Sequence, residues 1–413
     1  MSAPEIRSVI ADPQSLAING GLPVRQSPWP PRKLFSEDEL KKVIEVFERS
    51  WETGVDFGFQ GHFEEEYTNS FCAFQGGGFA DAVASGTTAI YLALGSLNLP
   101  PGCEVIVPPV TDPGGLNPVL LQGFEPVIAD AQHGSFNMGP QEFKAALTPN
   151  TRGAVVTHIG GIPADIAPIL QIAKENNISI LEDCSQAHGA IYQGKRVGTF
   201  GDVAAFSTMF SKAHATGGCG GLVYTQNEEI YWRCRALADR GKPFSSDSYP
   251  VGYPETAILP SLNFNLDELS CAIGRSTLAR LQATIERRLE IINIIDEGLN
   301  GSEVVSPIIV PPDCTRSPFF HTIKVNTERI NVPKILFAEA VRAEGVAVNP
   351  DYRYVLSDWP WLQQYLKQPS FTHSAAQFRD TTFNLLFHEA FTDADAQDIV
   401  ESILKVEAAY FLD

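Results

Sequence analysis

Positive charge is what this sequence has least of: 30 lysines and arginines stand against 49 aspartates and glutamates in 413 residues, a formal net charge of −19. A surface of that sign repels phosphate backbones and anionic lipid, which argues against nucleic-acid or membrane binding as the main role. Any anionic ligand has to be held by local donors. Cysteine is sparse and without pattern. The seven, Cys72, Cys103, Cys184, Cys219, Cys234, Cys271 and Cys314, show no CxxC spacing, and an odd number in a chain this long fits a reducing cytoplasm better than a disulfide framework. They suggest no zinc site, and no metal is expected. A run of about eighteen apolar residues, enough to cross a membrane, is absent. So is the basic-then-apolar order of a signal peptide at MSAPEIRSVIADP. There is no GxSxG elbow to support a hydrolase and no GxGxxG turn to support a dinucleotide site. Internal repeats and low-complexity segments are lacking too.

What is present is the composition of an ordinary soluble globular enzyme, 44% hydrophobic and 19% charged, in a chain long enough for two domains. Its chemistry concentrates between Leu181 and Leu222. The apolar run Ile178–Leu181 carries Glu182 and Asp183 to the point where a buried parallel strand would end, and a second run, Val203–Phe206, delivers Ser207. Lys212 follows in a loop that passes into Gly217, Gly218, Gly220 and Gly221. Open α/β sheets bind ligands at the carboxyl ends of their strands. Taken singly, Lys212 reads most simply as a solvated lysine and Asp183 as a capping aspartate. Taken together they fit pyridoxal phosphate, which needs an amine to hold it as a Schiff base and a carboxylate to keep its pyridine nitrogen protonated. A carboxylate beside that nitrogen favours the pyridinium by direct Coulomb attraction. The Ser207 hydroxyl is then a donor for the cofactor phosphate.

In chain order, residues 1–35 read as an arm, extended over Ala17–Pro31 and free to wrap a partner subunit. Residues 36–265 read as a large cofactor-binding α/β domain. It opens with a helix over Ser36–Ser50, capped by the box Ser36 and Glu39, then a helix at Phe63–Phe71 and a strand at Ala82–Ala84. Ser85, Gly86, Thr87 and Thr88 open the next helix. Small residues between a strand and a helix N-terminus make an anion site, so the cofactor phosphate is placed at Gly86, Thr87 and Thr88. Strands at Glu104–Pro108, Pro126–Ala129, Gly153–His158 and Ile178–Glu182 alternate with helices at Pro140–Leu147 and Ile166–Asn176, which predicts right-handed βαβ units in a mostly parallel sheet flanked by helices. His158 either lines the pocket or only ends its strand. The segment VPPVTDPGGLNPV reads as a loop, in which Asp112 is either a contact to cofactor or substrate or a turn former before Pro113. Arg240–Pro260 is a long polar loop. Residues 266–300 read as one linking helix and 301–413 as a smaller α+β domain placed to close over the site, with extended segments Phe319–Val325 and Val346–Asn349 and helices Pro333–Glu344 and Asp393–Val406. Phe319, Phe320, Tyr352, Trp359 and Trp361 are candidates for a sugar-sized pocket, although aromatics at such spacing are more often core.

The phrase EDCSQAHGA, the run GKRVGTFGDVAAFS with SK beyond it, the GGCGG turn, the SGT at Ser85–Thr87 and the opening GGLPVRQSPWP together resemble the sugar aminotransferases of the DegT/StrS type, enzymes of PLP fold type I. The likeness covers most of the chain from Gly20 onward, most tightly between Ser85 and Gly221. It implies that Asp183 pairs with the pyridine nitrogen, that Gln186 lies against the phenolic oxygen, that Ser207 binds the phosphate and that Lys212 forms the Schiff base. Asn263, in SLNFNLDEL, corresponds to an asparagine that reaches the cofactor phosphate of the neighbouring subunit, so a homodimer with shared sites is implied. Three positions depart from the family pattern. Asp112 stands where an aromatic ring usually stacks on the pyridine, Asn265 where a basic residue is usual, and Cys219 where an acid is usual. The activity implied is transfer of an amino group from glutamate or glutamine to a cyclic ketone, either a nucleotide-linked keto-sugar or a free keto-cyclitol. Lysine rather than histidine at position 212 favours transamination. The alternatives are a dehydratase or epimerase working with the same cofactor, and a non-catalytic sugar-binding descendant of the fold.

Overall fold

The computed structural model describes residues 12–242 and 259–412, so most of the loop expected over Arg240–Pro260 lies outside the described residues. The apolar runs of the first half form β1 (Phe79–Val83), β2 (Glu104–Val107), β3 (Glu125–Ile128), β4 (Thr151–Thr157), β5 (Ser179–Asp183), the short β6 (Ile191–Tyr192) and β7 (Lys195–Arg196), β8 (Val203–Ser207) and β9 (Gly221–Thr225). Seven of them make one sheet in the order β1-β9-β8-β5-β4-β2-β3. All run the same way except β9, which is antiparallel to both β1 and β8. The strands read as continuous apolar runs because both faces are covered: β2, β8 and β9 are buried at every position. Successive side chains point to opposite faces, so Ile106, Val156, Ile180 and Phe206 pack into one core cluster while their neighbours Val105, Val155, Leu181 and Ala205 pack into another.

The second half adds β10 (Val305–Pro307), β11 (Cys314–Thr315), β12 (His321–Val325), β13 (Val348–Asn349) and β14 (Thr382–Leu385). Four of these make an antiparallel sheet in the order β10-β12-β14-β13, and β11 joins β6 and β7 in a ribbon. Helices Lys334–Ala343 and Asp393–Tyr410 belong to the same core cluster as this sheet, with Ile323, Phe337, Phe383 and Ile403 in it. The molecule is thus α/β, with a mainly parallel central sheet, flanking helices and a smaller C-terminal α+β part. No helix among the described residues is long and apolar enough to cross a membrane.

Three segments differ from their sequence reading. The stretch Ala17–Pro31 packs on its own chain. Leu16 is buried in the C-terminal cluster, the Glu344 carboxylate accepts the backbone N–H groups of Ala17 and Val24 (2.9 and 3.0 Å), Arg25 bonds Asp395 and Asp398 (2.6 Å each), and Trp29 stacks on Phe391. The loop after β2 contains a helix, Pro113–Leu121, started by Asp112, whose carboxylate accepts from the Gly114 N–H (2.8 Å), and by Pro113 at a position that needs no N–H. The single long helix is two, Glu268–Ala279 and Leu281–Gly298, meeting at Arg280, whose guanidinium is taken up by Glu39 (2.5 Å) and the Leu34 carbonyl (2.9 Å).

Candidate active site

The parallel strands bring their carboxyl ends to one rim. There Asp183 closes β5 opposite Ala205, and Ser207 closes β8 opposite Gly221, the first residue of the reversed β9. Beyond β1, Ser85 caps the helix Gly86–Ser96, and beyond β2 Asp112 caps its own helix. A cavity of about 460 Å³ opens between these ends, and Gly86, Thr87, Asp112, Asp183, Gln186, Ser207 and Lys212 all line it.

Lys212 is 8% exposed, and burial pushes its pKa down to about 8 although Asp183 and then Asp112 pull it up. Its ammonium sits 4.2 Å from the Phe319 ring and has no hydrogen bond or ion pair among the described residues. The backbone around it is held firmly. Arg32 donates to the carbonyls of Lys212 (2.5 Å) and Phe210 (3.0 Å) and, through Nε, to Glu389 (2.9 Å). Arg288 binds the other oxygen of Glu389 (2.8 Å) and donates to the Pro318 carbonyl (2.8 Å), so the lysine loop and the segment carrying Phe319 hang on the same three charged side chains. The Phe319 segment is also laced to the turn after β4. Phe319 donates to the Gly160 carbonyl (3.1 Å), and at Gly161, with φ of +82°, a Cβ would fall 1.7 Å from the Ser317 carbonyl oxygen.

Alternation along β5 gives its two acids different work. Asp183 faces the cavity and accepts from the Ser185 N–H (3.0 Å). Glu182 points the other way and accepts the N–H groups of Gly198, Phe200 and Gly201 (2.8, 2.8 and 2.7 Å) and the ring of His158 (3.1 Å). His158 Nδ1 accepts from the Ala164 N–H (3.0 Å), which leaves Nε2 as the donor to Glu182. His158, Glu182 and Cys184 come within 4.8 Å of one another, a spacing a metal could use. The hydrogen bonds already made by His158 and Glu182 identify the group as a buried brace of the fold. His158 ends its strand and does not line the cavity.

Ser207 stands against the helix N-terminus as an anion site requires. A Cβ on Gly86 would come within 2.4 Å of Ser207 Cβ, so only glycine lets the helix start so close to the hydroxyl. Thr88 is turned away: its hydroxyl accepts from the Ser85 N–H (2.9 Å) and its own N–H is taken by Ser85 Oγ (3.1 Å). Of the expected trio, Gly86 and Thr87 border the cavity. Asp112 caps a helix and also lines the cavity. Gln186 accepts from the Gly160 N–H (2.8 Å) and lines the cavity as well. Asn263 is exposed and away from this cavity, its side chain bonded to Asn265 (2.7 Å).

Of the candidate aromatics, Phe319, Phe320 and Tyr352 border the cavity; Trp359 and Trp361 do not. Tyr354, Asn349, Asn384 and Thr111 also border it, and no motif pointed to them. Two buried polar atoms at its wall, the Thr157 hydroxyl and the Asn384 amide nitrogen, have no hydrogen-bond partner among the described residues. A buried amine, a carboxylate on the same rim, an anion cradle and polar groups without partners among the described residues fit pyridoxal phosphate.

Comparison with solved structures places this arrangement in a class. The crystal structure of an aminotransferase from Psychrobacter cryohalolentis matches with a TM-score of 0.83 over 92% of this chain and 98% of that one, at 26% identity. With its ligand rim built of the groups described above, the molecule is an enzyme, a PLP-dependent transaminase of fold type I. Among sequences it is similar to the L-glutamine:2-deoxy-scyllo-inosose aminotransferase of Micromonospora echinospora, 31% identical over 345 residues that cover 82% of each chain. It is also similar to the GDP-perosamine synthase of Caulobacter vibrioides, 30% identical with 78% of this chain and 85% of that one covered. Residues 35–404 match the DegT/DnrJ/EryC1/StrS aminotransferase family, and the chain belongs to it.

Proposed function

We propose that the protein transfers an amino group from glutamine or glutamate to a cyclic ketone, with pyridoxal 5'-phosphate held by Lys212, and that two chains share each site. The observation that carries the reading is Lys212 itself, a buried amine with a lowered pKa and no hydrogen-bonding partner among the described residues, on the same rim as Asp183. When bound, the cofactor supplies an electron sink that lets the carbon bearing an amino group give up its proton. Asp183 would keep the pyridine nitrogen protonated, and the Gly86 and Thr87 N–H groups with the Ser207 hydroxyl would hold the phosphate. Gln186 would lie against the phenolic oxygen. The Lys212 amine, titrating at about 8, would both take and return the proton at the reacting carbon near neutrality. Phe319, Phe320 and Tyr352 shield that exchange from water. All seven cysteines are free, in keeping with a reducing cytoplasm.

The named relatives support a glutamine donor and either type of acceptor. Lys212 is the one cation that the described residues of this chain bring to the cavity. The visible absorption spectrum tests the first half of the proposal. A cofactor band that disappears from the purified enzyme on adding glutamine or glutamate, and that is altered in Lys212→Ala, is expected. Screening ketones then finds the acceptor. A band indifferent to every donor would replace transfer by dehydration or epimerisation, and failure to bind added pyridoxal phosphate would sink the catalytic reading. Mixing Lys212→Ala with Asn263→Ala chains tests sharing: partial recovery of activity is expected, and no recovery counts against it.

A further inference from the structure

Asn384 lies in β14 between Phe383 and Leu385, and while those two pack into the C-terminal cluster, Asn384 points the opposite way, into the cavity wall. It is 1% exposed. Its amide oxygen accepts from the hydroxyl of Thr322, directly opposite on β12 (2.8 Å), and its amide nitrogen is left without a partner among the described residues. The fold itself does not need an amide there. Leucine at 384 with valine at 322 would fill much the same space and remove the cost of a buried N–H that meets no acceptor. Asn349 stands opposite Asn384 on the other neighbouring strand, β13, and borders the same cavity, its amide oxygen taken by the Asp351 N–H (3.2 Å). Residues paired in this way carry their Cβ atoms about 5 Å apart on one face, so the two amides stand side by side.

We propose that Asn384, with Asn349 beside it, recognises the acceptor: the two amides bind neighbouring hydroxyls of a polyhydroxylated ring ketone. Charge favours hydroxyls over a carboxylate. Asp112 and Asp183 bring two carboxylates to the cavity against the single ammonium of Lys212, so this chain repels a further anion there and accepts a neutral oxygen. Hydrogen-bonding capacity favours them too. Because the Thr322 hydroxyl can donate or accept, the Asn384 amide can turn over and present either its nitrogen or its oxygen, and a ring hydroxyl answers both where a carboxylate only accepts. The inference rests on the proposal that a cyclic ketone takes the amino group, and names the side chain that reads its ring.

Stopped-flow absorbance of the cofactor-loaded full-length enzyme tests it, with the donor and acceptor half-reactions followed separately and circular dichroism as the check on folding. The probes are a pentahydroxycyclohexanone and a nucleoside-diphosphate-linked keto-hexose, each beside analogues that lack one ring hydroxyl. Wild type is expected to favour one of these ketones over one of its deoxy analogues by about a hundredfold in kcat/KM, since the analogue leaves the amide unpaired. Asn384→Leu should erase that preference by slowing the parent ketone about a hundredfold, with the reaction toward glutamine unchanged. Asn384→Leu combined with Thr322→Val, which leaves no hydroxyl stranded, should do the same. A merely structural role would slow parent and analogue alike. A preference that survives in both variants overturns the inference, as does a wild type indifferent to every ring hydroxyl or reactive with neither ketone. An equal loss in the glutamine reaction gives the amide to the amino donor and overturns it as well. A cofactor band that no donor changes appears before any ketone is added, and it sinks the transfer reading together with this inference.

Discussion

Replacing Lys212 by methionine in the cofactor-free protein is expected to make it more stable near neutral pH. Burial lowers the amine from its ordinary 10.5 to about 8, the attraction of Asp183 and Asp112 opposing that without cancelling it. The unfolded chain keeps the ordinary value. Below about pH 8 the amine is charged in both states, and the fold bears the whole cost of a buried ammonium. Between about 8 and 10.5 the folded protein has lost the proton and the unfolded chain still holds it, so the unfolded state binds more protons and stability rises with pH. Each unit of displacement corresponds to about 1.4 kcal/mol, which puts the cost near pH 7 at about 3 kcal/mol. Losing the contact between the ammonium and the Phe319 ring offsets about 0.5–1 kcal/mol of the gain. Methionine is unbranched and adapts to such a slot, so the net gain is about 2 kcal/mol. With an unfolding entropy of about 2.1 cal/mol/K for each of 413 residues, that corresponds to a Tm higher by about 2 °C. The assay is thermal and denaturant unfolding of both cofactor-free proteins at several pH values. The gain should shrink toward zero as pH approaches about 10. A variant no more stable at neutral pH, or a gain that stays constant with pH, would refute desolvation of the amine as the cause.

Gly86→Ala places a methyl 2.4 Å from Ser207 Cβ and should weaken pyridoxal phosphate binding about tenfold or more, whereas Gly218→Ala, with nothing within 4 Å, should leave it unchanged; a fluorescence titration separates them. Glu182→Gln leaves buried N–H groups short of a charged acceptor and should cost about 2–4 kcal/mol, a Tm lower by about 2–5 °C, with cofactor affinity unaltered because the side chain points away from the cavity. Asp183→Asn removes the larger of the two attractions that raise Lys212, so the amine should titrate below about 8 and turnover should fall by about 10²–10⁴, readable as a shifted pH–rate profile.

Strands buried on both faces announce themselves as apolar runs, which is why β5 and β8 and the residues at their ends were legible. Residues whose role depends on a polar partner far along the chain were not. Arg32 looked like part of a loose arm, and only the fold brings it to Glu389 and the Lys212 carbonyl. Asp112 and Pro113 read as part of a loop, because a turn and a helix start use the same capping chemistry and the glycines after them favour the turn. Thr88 matched an anion-binding phrase, yet the same phrase is a capping box, and the cap won. Arg280 carries no proline or glycine signal, so the break between its two helices was invisible. Asn349, Tyr354 and Asn384 reach the cavity from the C-terminal sheet and its neighbouring loop, at positions set by strand register and chain path rather than by any local pattern.

The clasp of Arg32, Glu389 and Arg288 has a consequence for a chain still being made. Arg32 and Lys212 leave the ribosome well before Glu389, and the roughly 180 residues between Lys212 and Glu389 take about 10–35 s to synthesise. For most of that interval, once β9 is made, the central sheet has all its strands, but Leu16 has only part of its cluster, Arg25 lacks Asp395 and Asp398, and Arg32 lacks the Glu389 carboxylate. The lysine loop is then tethered to an incompletely anchored N-terminal segment. Glu344 gives the first segment an early hold, and Glu389 with the last helix, Asp393–Tyr410, completes it, so a chain that ends before them would have a folded sheet whose lysine loop lacks its clasp.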